Sequence, residues 1–186
     1  MHDPLILPDN LPVPIDDGGA RHLTGATLPD IALAATDGAQ VNLARLKGRT
    51  VVYVYPRTGR PGQPLPEGWD GIPGARGCTP QSCAFRDHFA EIKRLGVAQL
   101  YGLSTQPTDY QREAVERLHL PFAILSDADL ALTHALDLPT FTVSGMVLIK
   151  RMAWVIDDGV IGHVFYPVFP PDRNAGDVVA WLASNA

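Results

Sequence analysis

The apolar positions of this chain fall into short strand-like runs and helix-spaced sets, and their order outlines a fold. Thr50-Val51-Val52-Tyr53-Val54-Tyr55 is the strongest strand signal, being short, β-branched, aromatic and nearly continuously apolar. Such a run suits a central strand covered on both faces. Before it, Ile31–Leu33 and Val41–Leu43 flank the turn-like Thr36-Asp37-Gly38 and predict a hairpin. After it, Phe85, Phe89 and Ile92 recur at i, i+4 and i+7, which predicts one helix from near Thr79 that Gly96 stops. Val97–Ser104 reads as the next buried strand, Asp109–Leu118 as an amphipathic helix, and Phe122–Leu125 as a short strand before Asp127 and Asp129. Leu130–Leu136 has room for one or two helical turns. Met152–Ile156 and Val160–Phe165, hinged by Asp157-Asp158-Gly159, form a hairpin, and Ala175–Leu182 a closing helix.

Strand, helix, strand, helix, strand, then hairpin and helix implies an α/β sandwich on a mixed sheet, the thioredoxin-like order. Two stretches stand outside it. Residues 1–20 carry Pro4, Pro8, Pro12 and Pro14 and then Asp16-Asp17-Gly18-Gly19, an extended arm with a turn, which leaves 21–186 as the domain. From Pro56 to Gly77 prolines alternate with glycines, a loop long for a compact domain and therefore a candidate for function. Trp69 reads as the anchor of that loop, and Tyr166-Pro167-Val168-Phe169-Pro170-Pro171 as a rigid apolar connection and possible contact surface.

Composition narrows the classes. At 186 residues and 46% hydrophobic the chain suits one soluble domain with a real core. The net charge of −5, with both signs scattered, argues against nucleic acid or an anionic membrane surface as a partner. No uninterrupted apolar stretch is long enough to span a bilayer, and the first eight residues lack the pattern of a secretory signal. Two cysteines are too few for a secreted disulfide scaffold, so the expectation is a cytoplasmic enzyme with redox-active thiols.

Those cysteines lie in Gly77-Cys78-Thr79-Pro80-Gln81-Ser82-Cys83. Cys78 stands where a glycine-rich loop becomes a helix, and Pro80 is tolerated in the first turn. Unpaired amides and the helix dipole there favour negative charge on sulfur. Five residues along a helix turn the chain by about 140° and raise it by about 7.5 Å. The two Cα atoms are then roughly 8–9 Å apart, beyond the ~7 Å reach of a disulfide. On the Phe85–Phe89–Ile92 wheel Cys78 falls on the core side and Cys83 near the opposite side, where a cysteine does no packing. The pair is thus no static staple, no C-x-x-C reductase motif, and no metal site, since no ligand lies at the right spacing. His88, His119, His134 and His163 share no spacing with a nucleophile and read as structural.

These residues resemble a known family. Val51 to Pro56, followed by Gly77-Cys78-Thr79-Pro80-Gln81-Ser82-Cys83-Ala84-Phe85-Arg86-Asp87, is similar to a peroxiredoxin of the bacterioferritin-comigratory (Q-type) subgroup. Gly102-Leu103-Ser104, Leu120 to Asp127, and Arg151-Met152-Ala153-Trp154-Val155-Ile156-Asp157 with Gly159 continue the likeness in order, over roughly residues 21–185. The resemblance implies a thioredoxin-like (peroxiredoxin) three-layer sandwich with a central mixed sheet. It also implies a thiol peroxidase acting on hydrogen peroxide or organic hydroperoxides. Cys78 would be the peroxidatic thiolate, Cys83 the resolving thiol, and Arg151 the cation that holds thiolate and peroxide. A thioredoxin-like dithiol would be the reductant, with no metal or organic cofactor, in a monomer or weak homodimer.

The chain departs from the family pattern in its loop. Pro56 precedes Cys78 by 78 − 56 = 22 residues, against the pattern P-x-x-x-T-x-x-C, and Ala75 occupies the threonine position. Thr58, two residues after Pro56, is the candidate to supply the missing hydroxyl. Gln81 stands where many members have Glu, and Gln106 near a usual Asp, with no role attached to it. Two other readings stay open: a thiol–disulfide oxidoreductase or redox-signalling protein on the same frame, and a non-catalytic interaction module.

Overall fold

The computed structural model describes residues 7–185, so the first six residues of the expected arm and Ala186 lie outside the described residues. Among the described residues, one seven-stranded sheet carries the fold. Its strands are β1 (Ala32–Ala35), β2 (Gln40–Asn42), β3 (Arg49–Val54), β4 (Val97–Ser104), β5 (Ile124–Ser126), β8 (Met152–Asp157) and β9 (Val160–Phe165), in the order β2-β1-β5-β4-β3-β8-β9. β3, β4 and β5 run parallel, whereas β8 lies antiparallel to β3 and β1 antiparallel to β5. β3 is flanked by both β4 and β8, which explains its continuous apolar run: both edges are paired and both faces are covered.

Strand periodicity divides the core in two. Val51, Tyr53 and Tyr55 point to one face, where they meet α1 (Cys78–Asp87), α2 (Phe89–Arg94), α3 (Thr108–Leu118) and α5 (Asn174–Ser184) through Phe85, Ile92, Ala114 and Val178. Val52 and Val54 point to the other, where Leu103, Trp154 and Leu132 of α4 (Ala131–Ala135) complete the cluster. Helices thus cover both faces of a mixed sheet, the α/β thioredoxin-like architecture.

Two local expectations are corrected. The single helix expected from Thr79 to Gly96 is two, because His88 (φ −91°, ψ 2°) opens the backbone between α1 and α2. Phe85 and Ile92 are both fully buried on either side of that break. A third hairpin, unmarked by the sequence reading, is formed by β6 (Thr140–Val143) and β7 (Met146–Ile149). Its turn residues Ser144 and Gly145 both have positive φ, 48° and 76°, the conformation a two-residue hairpin favours. Trp69 of the long loop packs against this hairpin with Val143, Leu148 and Phe141, so it does anchor the loop, and it also lines a cavity at Cys78.

Candidate active site

The parallel strands deliver the site. β3 and β4 end side by side, Val54 against Leu103, and the chain beyond each carboxyl end carries Thr58 and Gln106. The β3–β8 register pairs Val54 with Met152, which sets Arg151 beside the exit of β3. Cys78 opens α1 from Gly77, whose φ of 101° needs no side chain. A Cβ at Gly77 would lie 2.2 Å from Pro171 Cγ, so the helix start is seated closely on the Pro171–Arg173 turn.

Cys78 and Arg151 are both 3% exposed and meet at the sulfur. Arg151 Nη2 donates to Cys78 Sγ at 3.2 Å and faces the carbonyls of Gly74, Ala75 and Arg76 at 3.2, 3.1 and 3.0 Å. Its Nη1 donates to Gln81 Oε1, and Gln81 Nε2 donates to Asn174 Oδ1 at 2.9 Å. The guanidinium is therefore held by the loop before Cys78 and by the first turn of α1, with no acidic group among these partners. A second donor comes from the main chain: the Arg57 N–H points at Cys78 Sγ from 3.4 Å. Ala75, at the threonine position of the family pattern, contributes its carbonyl, which accepts from the Cys78 thiol at 3.6 Å.

Thr58 is buried nearby, and its hydroxyl donates to Gln106 Oε1 at 3.2 Å. The same oxygen accepts from the Thr58 N–H at 3.0 Å, and Gln106 Nε2 donates to the Thr58 carbonyl at 3.1 Å. Gln106 is itself fixed, since its carbonyl accepts from Ser126 Oγ at 2.7 Å. The sequence reading attached no role to Gln106; its position just beyond a buried strand was the available signal.

Cys83 shares α1 with Cys78, and both are free thiols. The outward, non-packing position expected for Cys83 is corrected: it is half-buried against the cluster that holds Phe85 and Phe122. Burial pushes its thiol above the ordinary value, while the cation of Arg86 pulls the other way. Of the histidines, His163 stacks on Trp181 at 4.8 Å and His88 pairs with Glu91 at 3.1 Å.

The Redoxin family model matches residues 23–179. Peroxiredoxin Bcp of Escherichia coli K12 is 32% identical over 167 residues, covering 87% of this chain and 96% of that protein. The chloroplastic peroxiredoxin Q of rice is 30% identical over 162 residues, and the match spans 86% of this chain but only 66% of the rice protein. The crystal structure of peroxidoxin BcpB from Mycobacterium tuberculosis superposes with a TM-score of 0.70 at 26% identity, covering 88% of this chain and 97% of that one. Family model, relatives and fold converge on one group: this chain belongs to the Redoxin family, as a peroxiredoxin of the Q/Bcp type.

Proposed function

We propose that this chain is a thiol-dependent peroxidase in which Cys78 is oxidised and Cys83 resolves the product. The observation that carries the reading is the convergence of two fixed donors, Arg151 Nη2 and the Arg57 N–H, on a buried sulfur at a helix start. A thiolate at Cys78 attacks the terminal oxygen of the hydroperoxide. The O–O bond breaks, sulfur gives up two electrons and becomes S–OH, and the leaving oxygen departs as water or alcohol after taking a proton. Donors already in place stabilise the charge that grows on the oxygens, the largest contribution available to a site without a strong acid. Thr58 serves the site through its peptide, which Gln106 holds in position for the Arg57 amide.

The Cys83 thiol then condenses with the Cys78 sulfenic acid, forming a disulfide and releasing water. Regular α1 keeps the two Cα atoms roughly 8–9 Å apart, so the first turn must unwind. Unwinding breaks the Gln81 contacts to Arg151 and Asn174, which makes them the latch of the reduced state. A thioredoxin-like dithiol returns the enzyme to its thiols. The reading includes a cytoplasmic setting and a monomer or weak homodimer.

The test is steady-state consumption of hydrogen peroxide and cumene hydroperoxide with a dithiol reductant. Wild type turns over and Cys78→Ser does not. Disulfide reduction without peroxide consumption would favour the oxidoreductase reading instead.

A further inference from the structure

The sheet reaches the middle of α1 through a buried pair of hydroxyls. Tyr53 and Ser82 are both fully buried, and Tyr53 Oη donates to Ser82 Oγ at 3.1 Å. Ser82 lies between the two cysteines in sequence, next to Cys83. The contact pins the second turn of α1 to β3, the strand paired on both edges, whereas the Gln81 contacts hold the first turn.

The Tyr53 ring is held independently of that hydrogen bond. It stacks on Phe85 with centroids 4.5 Å apart, and meets Phe122 nearly at right angles at 5.7 Å. Opposite it in the β3–β4 register stands Gly102, where a Cβ would come 2.8 Å from Tyr53 Oη and 2.9 Å from Cζ. The missing side chain at Gly102 is thus the room that the phenol occupies. Closing the disulfide requires α1 to unwind, which takes Ser82 off the hydroxyl while the ring stays with β3 in an apolar cluster. A buried O–H stripped of its acceptor is costly, and the cost falls on the opened helix.

We propose that Tyr53 is a positioning residue for the resolving step: through Ser82 it holds the second turn of α1 and sets the rate at which Cys83 reaches the Cys78 sulfenic acid. The inference rests on the peroxidase reading and concerns only its second step. Tyr53 takes no part in the bond changes. The Cys83 thiol still condenses with S–OH, the S–S bond forms and water leaves.

The experiment mixes each reduced protein with one equivalent of hydrogen peroxide, quenches in acid with a thiol-alkylating reagent, and reads sulfenic acid and disulfide by intact mass. Tyr53→Phe keeps the ring and loses only the hydroxyl; its disulfide closes about fivefold faster than that of wild type, the equivalent of one hydrogen bond. Ser82→Ala removes the same contact from the other side and accelerates closure equally. The double variant closes no faster than either single one, the mark of one shared interaction. Ile92→Val, a lesion in the same cluster beyond the break at His88, lowers thermal stability and leaves closure at the wild-type rate. Closure at the wild-type rate in either single variant, additive acceleration in the double variant, or equal acceleration in Ile92→Val overturns the positioning role and leaves the peroxidase reading standing. A wild-type Cys78 that does not oxidise overturns both. Should Tyr53→Phe fail to fold, Ser82→Ala against Ile92→Val decides the matter.

Discussion

The carboxamide of Gln106 grips the peptide of Thr58 at both ends, accepting from its N–H at 3.0 Å and donating to its carbonyl at 3.1 Å. The grip joins the chain beyond two neighbouring parallel strands and aims the preceding amide, that of Arg57, at the sulfur 3.4 Å away. In this chain Ala75 occupies the threonine position of the family pattern, and the second donor to the sulfur comes from the main chain of Arg57.

Gln106→Met keeps the side-chain length and loses all three hydrogen bonds to Thr58. The second-order rate of Cys78 with hydrogen peroxide falls about fivefold, the equivalent of one net hydrogen bond of about 1 kcal/mol. Gln106→Glu keeps an acceptor for the Thr58 amide but adds negative charge beside a reaction that builds it. Its rate falls further than that of Gln106→Met. Stopped-flow fluorescence checks both, and a Gln106→Met rate equal to that of wild type contradicts the positioning role.

Arg151→Met removes the side-chain donor at Cys78. The peroxide rate drops by about 10²-fold or more, the usual cost of losing a preorganised donor. The carbonyls of Gly74, Ala75 and Arg76 also lose their partner, so thermal stability falls while circular dichroism keeps its native shape. A rate within a few-fold of wild type removes Arg151 from the chemistry.

Cys83 links the second step to pH. Burial holds its thiol above the ordinary value of 9.0, so the folded state binds this proton more tightly than the unfolded chain does. Its contribution to stability is complete below the unfolded value and is lost as pH rises through that value and on to the folded one. The urea midpoint of the reduced protein therefore falls between pH 7 and pH 10 relative to Cys83→Ser. Disulfide closure, measured after mixing with one equivalent of peroxide, keeps accelerating above pH 9.0 when Cys83 titrates in place. A plateau well below that pH would mean that α1 unwinds before Cys83 ionises.

Oxidation changes amide exchange in one place. Both cysteines lie on α1, so closing the disulfide raises exchange from Thr79 to Phe85, while β3 stays protected between two paired neighbours. Hydrogen-exchange mass spectrometry on the oxidised monomer reads this directly. Non-reducing electrophoresis identifies the competing outcome, a covalent dimer through Cys78 of one copy and Cys83 of another.

The legible parts of this molecule were those where neighbours in sequence are neighbours in space. The apolar run Val51–Val54 announces a central strand, and the glycine-to-helix junction at Cys78 announces a reactive sulfur. The β6–β7 hairpin carries a usable signal in Ser144-Gly145, a turn pair between β-branched runs. The break at His88 had none, since no proline or glycine marks it. Gln106 meets Thr58 across 48 residues, and Arg76 belongs to a cavity assembled from loop segments. Contacts of that kind depend on strand order and loop path. Cys83 lies half-buried against the cluster that holds Phe85 and Phe122, a tertiary contact that a helix wheel does not show.

The most direct measurement is sulfenic acid trapping. Cys83→Ser and Cys78→Ser are each treated with one equivalent of hydrogen peroxide in the presence of dimedone and weighed intact. The account predicts one stoichiometric adduct in Cys83→Ser, carried on Cys78, and none in Cys78→Ser. An adduct that forms readily in Cys78→Ser and fails to form in Cys83→Ser contradicts it.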